Sequence, residues 1–297
     1  MQSPIKESGG DWLFNLANTI FLIFVSFVIL YPLIHIISAS LSAGEAIMSG
    51  QVGLIPVGFN LKAYQKVLEY PLIWVGFSNS LFYASIGTLV NVTMTLVAAY
   101  PLSRADLPGK NIFLTLFVFT MMFNGGIIPT YLLVKDVGLL NTRWALIIPN
   151  AISVWNLLIT ISFFRTSIPL ELHEAAQLDG ASDFNYFIKI MLPLSTPIIA
   201  VLTLYYAVGH WNQFFDAMLY LSKTELYPLQ LILRQILIDS QIDLSLMTDI
   251  REIAQREELQ ALIKYAVIVV TSLPVMLIYP FAQKHFVKGI TLGAVKD

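Results

Sequence analysis

From Tyr70 through Ser103 the chain carries no charged residue, and this stretch restricts the fold more than any other feature. A segment so long and apolar suits hydrocarbon rather than water. Hydrocarbon offers no partner to a bare N–H or C=O, so the segment must satisfy its own backbone as a helix. Five further apolar stretches accompany it. Together they predict six spans, at about 12–37, 71–103, 111–134, 144–165, 194–221 and 260–283. Only 12% of the residues are charged and 57% are hydrophobic, whereas soluble domains carry about 25% charge. The expected fold is therefore all-α and integral to the membrane, with about six transmembrane helices in a single domain over 1–297.

The first stretch, Trp12–Ile37, exceeds a signal-peptide core and lacks a small-residue cleavage site near its end, so it reads as a retained helix. Basic residues are nearly balanced across the membrane, with Lys62, Lys66, Lys135, Arg143, Lys223, Arg234, Arg251 and Arg256 on the far side, and the tilt is toward an inside N-terminus. Lys6, Arg104, Lys110, Arg165, Lys189, Lys284, Lys288 and Lys296 would then be cytoplasmic, mostly in short connectors where the rule has force. The 38–70 connector is expected to hold a helix at Leu61–Glu69. In the 222–259 connector, Ile232, Leu233, Ile236 and Leu237 recur at helical spacing, so an amphipathic helix lies there, on the membrane surface or against a partner. The second span carries Asn79, Ser80, Ser85, Thr88, Asn91, Thr93 and Thr95. Two readings fit: hydrogen bonds between packed helices, or the lining of a path through the membrane.

Several functions are excluded or disfavoured. There is no cysteine, hence no disulfide, thiolate metal site or cysteine nucleophile. Gly109-Lys110 lacks the upstream glycine and following hydroxyl of a phosphate-binding loop, so the chain has no such loop for ATP. His35, His173, His210 and His285 are scattered and read as bundle or interface residues, not metal ligands. No serine–histidine or paired-aspartate constellation at matching depth suggests catalysis. The net charge of −2 has no basic block that would point to nucleic acid.

The connector Ile168–Pro197 is more ordered than a link. Pro169 can open a helix, and Glu171 and Glu174 suit its positive end. Leu170, Ala175, Ala176 and Leu178 supply small and apolar contact positions. Gly180 permits the positive dihedral of a sharp turn. Ser182 or Asp183 can cap a second helix whose apolar side would be Phe184, Phe187, Ile188 and Met191, with Leu192-Pro193 ending it. Such a helix–turn–helix is either a docking element or an interfacial helix tucked against the bundle.

Glu174-Ala175-Ala176, Gly180 and Ile190-Met191-Leu192-Pro193, at these spacings, resemble the EAA loop of ATP-binding-cassette (ABC) importer permeases. Asp179-Gly180-Ala181 and Leu194…Pro197 resemble its sugar-importer branch. Trp211-Asn212-Gln213-Phe214-Phe215-Asp216 resembles the W-N-x-x-F block of carbohydrate permeases. The tail Phe286–Lys296 resembles that of maltose-permease-like subunits. Phe123–Tyr131 with Gly138–Thr142 resembles a narrower branch associated with oligosaccharides from polysaccharides, including uronate-bearing ones.

The resemblance implies a type I importer permease that is not itself an enzyme, in a bacterial cytoplasmic membrane with both termini inside. It implies a second, related permease, two ATPases that bind ATP and Mg²⁺, an extracytoplasmic solute-binding protein and an oligosaccharide substrate. Glu174, Ala175, Ala176, Asp179, Gly180, Ala181, Ile190, Leu192 and Pro193 would then couple the chain to the ATPase, which seats the loop in a groove. Aromatic faces and hydrogen-bonding side chains suit sugars, which nominates Tyr205, Tyr206, Trp211, Asn212 and Asp216 for the substrate path; the alternative is that the aromatics mark a membrane interface and Asp216 is an interfacial carboxylate at the span's edge. The competing expectation, an ion-gradient-driven transporter, wants ionisable residues at mid-membrane, and the spans are nearly free of charge there.

Overall fold

The apolar stretches become helices with a few interruptions, and among the described residues there is no strand. The computed structural model describes residues 9–242 and 261–277, which divide into two compact units, 9–69 with 237–242 and 261–272, and 70–236 with 273–277. The tail Phe286–Lys296, the charged stretch 243–260 and the far end of the 260–283 span lie outside the described residues.

The first unit is built on α1 (Gly9–Ser40), whose apolar side chains are largely exposed from Trp12 to Ile37. So much bare apolar surface demands lipid or another polypeptide around it. Only the end of α1 is buried, where Ala39 packs with Ala46 of α2 (Gly44–Met48), Val52, and Tyr265 of α15 (Ala261–Leu277). Serines order the following connector: Ser38 Oγ donates to Leu54 O at 2.6 Å and Ser42 Oγ accepts from Val57 N at 3.0 Å. The expected helix at 61–69 is present as α3 (Lys62–Glu69), and Tyr64 Oη lies 2.7 Å from Ser40 Oγ.

In the second unit the uncharged stretch is one 33-residue helical run, Pro71–Ser103. It comprises α4 (Pro71–Phe82), a π turn at Tyr83–Gly87, and α5 (Thr88–Ser103). On α5, Val92, Leu96 and Ala99 recur at i, i+4 and i+7. They meet Leu157, Ile161 and Phe164, at the same spacing, on α8 (Val154–Ser167). Ile198, Leu202 and Tyr206 of α12 (Thr196–Trp211) complete this core. Matched four-residue ridges are how two helices interdigitate.

Of the polar residues on the second span, Asn79, Ser80, Thr88, Asn91 and Thr95 are buried, while Ser85 and Thr93 are exposed. Four of the buried ones bond within the bundle. Asn79 Nδ2 donates to Glu225 O and Tyr227 O at 2.7 and 3.1 Å, and Ser80 Oγ accepts from Leu229 N at 2.9 Å. Asn91 Nδ2 donates to Asn150 O at 2.9 Å, and Thr95 Oγ1 lies 2.7 Å from Tyr206 Oη. These bonds staple the backbone at 225–229 and 150 to the long helix. The amphipathic helix expected in the 222–259 connector is α14 (Leu229–Ile242).

Three expected spans are corrected. The stretch 111–134 is two helices, α6 (Lys110–Met122) and α7 (Ile127–Asp136), bent by 117°. Gly126 holds φ 90° and ψ 175°, a glycine conformation, and its N–H bonds Asn124 Oδ1 at 2.8 Å in a local turn. The stretch 144–165 becomes α8 only from Val154; Arg143–Leu146 is a 3₁₀ turn and the chain is irregular through Pro149-Asn150. The stretch 194–221 breaks after Trp211 and resumes as α13 (Phe215–Tyr220).

Gly76 lets α14 approach α4: a Cβ there would lie 2.9 Å from Leu229 Cα and 2.5 Å from Ile232 Cδ1. Gly76→Ala gains about 1 kcal/mol of helix propensity but forces backbone apart, so the expected net cost is about 1–2 kcal/mol. Thermal unfolding in detergent should show it, with Gly53→Ala, which meets open space, close to wild type.

Candidate functional site

The connector between α8 and α12 forms two short helices, α9 (Leu170–Leu178) and α10 (Asp183–Tyr186). Asp179 is the C-cap of α9, and Gly180 follows with φ +77°. Gly180 N donates to Gln177 O at 3.0 Å and Ala181 N to Ala176 O at 2.9 Å. That pair of bonds is a Schellman closure, which needs a left-handed residue where Gly180 stands. Ser182, not Asp183, caps α10, its Oγ accepting from Asn185 N at 3.3 Å.

The second helix departs from expectation. A π turn at Phe187–Met191 follows α10, and the helical run continues through α11 (Leu192–Leu194) to a bend at Ser195. Pro193 therefore does not end it. The wider turn inserts a residue, so the apolar face slips. Tyr186 and Met191 are buried, whereas Phe184 and Ile188 are exposed.

On α9 the faces divide sharply. His173 and Ala176 are buried, while Glu174, Ala175 and Leu178 are exposed, Leu178 to 90%. Glu174 has no hydrogen bond or ion pair among the described residues. The buried face is held by an arginine. Arg104, just beyond α5, forks onto Asp106 through Nε and Nη2 at 2.9 and 2.7 Å, while its Nη1 reaches His173 Nε2 and stands 3.6 Å from Asp183 Oδ1. His173 Nε2 lies 3.2 Å from the same carboxylate, and the ring packs edge-on against Tyr186 at 4.8 Å. Tyr100 Oη donates to Asp183 Oδ1 at 3.4 Å, and its ring lies 4.9 Å from that of Phe187. Arg165 caps the last turn of α5, donating to Leu102 O and Ser103 O at 2.8 and 3.2 Å.

The bond from Arg104 holds the Asp106 carboxyl down at about 2, and the bond from Asp106 raises Arg104 in turn. A carboxyl lowered on folding adds stability above its ordinary value near 4 and loses it as pH falls through 2. The fork is therefore fully made at neutral pH. Burial pushes the Tyr186 phenol up, against the pull of Arg104. A cavity of about 650 Å³ lies beside α9, lined by His173, Glu174, Gln177, Arg104, Lys110 and Arg165 among others.

A second cavity, of about 370 Å³, opens where α12 breaks. Four of the five residues nominated for a sugar line it: Tyr205, Tyr206, Asn212 and Asp216. Trp211 does not; it is 5% exposed and packs edge-on against Phe77 at 5.8 Å. The break at 212–214 carries Asp216 onto the next helix, where its Oδ2 accepts from Asn150 Nδ2 at 3.1 Å and Gln213 Nε2 at 3.0 Å. Asn91, His210, Phe214 and Phe215 also contribute to the wall. Gly87 admits the His210 ring, since a Cβ there would lie 2.5 Å from Nε2.

Sequence reasoning missed Asn150 and Gln213 as cavity groups, and Arg104 and Asp106 as the anchor of α9. Pro149-Asn150 inside an assumed span was the available signal for Asn150; nothing local marks Arg104. No group of three His, Asp or Glu suited to a metal occurs among the described residues.

The family described as "Binding-protein-dependent transport system inner membrane component" matches residues 91–292. The "Polygalacturonan/rhamnogalacturonan transport system permease protein YtcP" of Bacillus subtilis (strain 168) is 44% identical over 285 residues, covering 96% of this chain and 98% of its own. The "Arabinooligosaccharides transport system permease protein AraQ" of Halalkalibacterium halodurans is 27% identical over 286 residues, covering 94% and 95%. One chain in the crystal structure of a bacterial ABC transporter involved in the import of the acidic polysaccharide alginate superposes with a TM-score of 0.84 at 33% identity, covering 96% of this chain and 100% of that one.

Removing Arg104 leaves Asp183 and His173 without their cation. Arg104→Ala is expected to speed amide exchange across 170–191 about tenfold, the equivalent of one charged hydrogen bond. Arg104→Lys restores only part, because lysine cannot fork. Exchange mass spectrometry of the purified protein checks both.

Proposed function

This chain belongs to the binding-protein-dependent transport system inner membrane component family, with the all-helical membrane permease fold of ABC importers, and from that membership we propose that it forms half of an oligosaccharide path driven by separate ATPases. The observation that carries the coupling reading is α9, held by Arg104 on one face and presenting on the other an exposed Glu174, with no partner among the described residues, beside exposed Ala175 and Leu178. A helix moves what it is attached to only if it cannot rotate in place, and the Schellman closure and the arginine anchor both restrain it.

In this reading both termini are cytoplasmic, with α9 on the cytoplasmic side seated in a groove of the ATPase. Glu174 makes the polar contact there, Ala175 allows close approach, and Asp179-Gly180-Ala181 closes the turn. Ile190, Leu192 and Pro193 carry the displacement into α12. ATP and Mg²⁺ bind the ATPase pair, whose closure drives α9 of this chain and the equivalent element of a second permease together. The helices then rock and open the path outward, where a solute-binding protein releases the sugar. The oligosaccharide substrate is supported by the names of the relatives above and by Tyr205, Asn212 and Asp216 around one cavity.

Glu174→Ala removes the polar contact, and Gly180→Asp puts a side chain at φ +77°. Loss of one charged contact corresponds to about a tenfold fall in uptake. In reconstituted complexes each variant is expected to lower uptake by that order, while ATP hydrolysis no longer answers to loaded binding protein. Normal coupled uptake by well-expressed variants overturns the role of α9. Uptake that persists after removal of the ATPase points instead to an ion gradient.

A further inference from the structure

The cavity at the break in α12 carries a charge pattern that discriminates among sugars. Taking it as the sugar path, as above, we propose that this chain's part of the path seats an uncharged sugar ring, and that Asp216 keeps the carboxylate of a uronate out of it. At about 370 Å³ the cavity is at the small end of the range for small-molecule sites, suited to a ring or two rather than a long oligomer.

Among the described residues no lysine or arginine lines it, and Asp216 is the one acid that does. Asp216 Oδ2 is occupied by Asn150 and Gln213, but Oδ1 has no hydrogen-bond partner among the described residues. An open carboxylate oxygen accepts from a hydroxyl and repels another carboxylate. The remaining wall suits a neutral sugar. Asn212 offers an amide, while Tyr205, Phe214 and Phe215 are 55%, 40% and 45% exposed and offer ring faces.

Among the described residues the nearby cations are directed elsewhere. His210 is 7% exposed, with Nδ1 3.3 Å from Gln213 Oε1 and Nε2 3.4 Å from Asn91 Oδ1, so its nitrogens are turned into the wall. Arg234 lies over the Phe214 ring at 5.3 Å and donates to Met218 Sδ. Arg143 donates to Asn79 Oδ1 at 3.1 Å and lies over Phe82. A uronate-bearing substrate would then keep its acid groups on the partner permease or in water while a neutral ring, or an esterified uronate, occupies this cavity.

The test is ligand-observed saturation-transfer NMR on the assembled complex in nanodiscs without binding protein. The probes are digalacturonate, its dimethyl ester and galactobiose. Wild type is expected to favour the ester and galactobiose over digalacturonate by about tenfold, the scale of one screened like-charge contact. Asp216→Asn should level the preference and Asp216→Lys reverse it. Gly209 lines the cavity and faces open space, so Gly209→Trp should fill it and abolish the signals.

Equal binding of acid and ester to wild type overturns the charge selection without needing any variant. If Gly209→Trp still abolishes binding in that case, the cavity remains the sugar path. If Gly209→Trp leaves binding and uptake intact, the cavity is not the path and the proposal falls with it.

Discussion

Backbone groups in hydrocarbon have no water to turn to, and most of the second unit follows from that one constraint. Where α4 and α5 run on from Pro71 to Ser103, the chain satisfies itself. Where an apolar stretch is interrupted, at 123–126, 147–153 and 212–214, the freed groups need other partners. Asn124 supplies one at the first break, through the Gly126 N–H. Asn91 and Tyr206 serve the second, one on Asn150 O and the other on the Ser153 N–H at 3.1 Å. The two side chains that repair the second break, Asn91 and Tyr206, also line the smaller cavity. Part of its chemistry is therefore a by-product of how the helices are interrupted.

The helix α5 carries both candidate sites. Asn91 and Thr95 lie at its cavity end, and Tyr100 and Arg104 at the other, with 13 residues or about 20 Å of helix between Asn91 and Arg104. Its core contacts with α8 and α12 make it part of a packed body rather than a free rod. Arg165 of α8 then closes its last carbonyls, so the point from which Arg104 reaches α9 is itself restrained. A push on α9 is thus met by a charged anchor on a capped helix.

Side-chain exposure separates two kinds of apolar surface. The exposed side of α1 matches its length and composition as a membrane helix, for which lipid or another polypeptide is the natural cover. The exposed apolar residues of α9 are different. Leu178 sits on a short helix beside Glu174 and a polar turn, a pattern that suits a protein groove better than lipid.

Much of the plan was legible in the chain itself. Apolar length alone determined a helical membrane protein, because only self-satisfying backbone survives in hydrocarbon. Gly180 marked the sharp turn after α9, because a Schellman closure needs a left-handed residue there. The helical spacing of Ile232, Leu233, Ile236 and Leu237 placed α14. The breaks were harder to see, since Pro149-Asn150 and Asn212–Phe214 sit in sequence as apolar as the spans around them. Only the tertiary structure decided that Arg104 grips α9, that the π turn moves Tyr186 inward and Phe184 outward, and that Trp211 turns away from the cavity Asp216 enters. Those outcomes depend on contacts between residues far apart in the chain, 79 positions for Arg104 and Asp183 and 134 for Phe77 and Trp211. Local pattern carries no information about which distant partner a charge or a ring will meet.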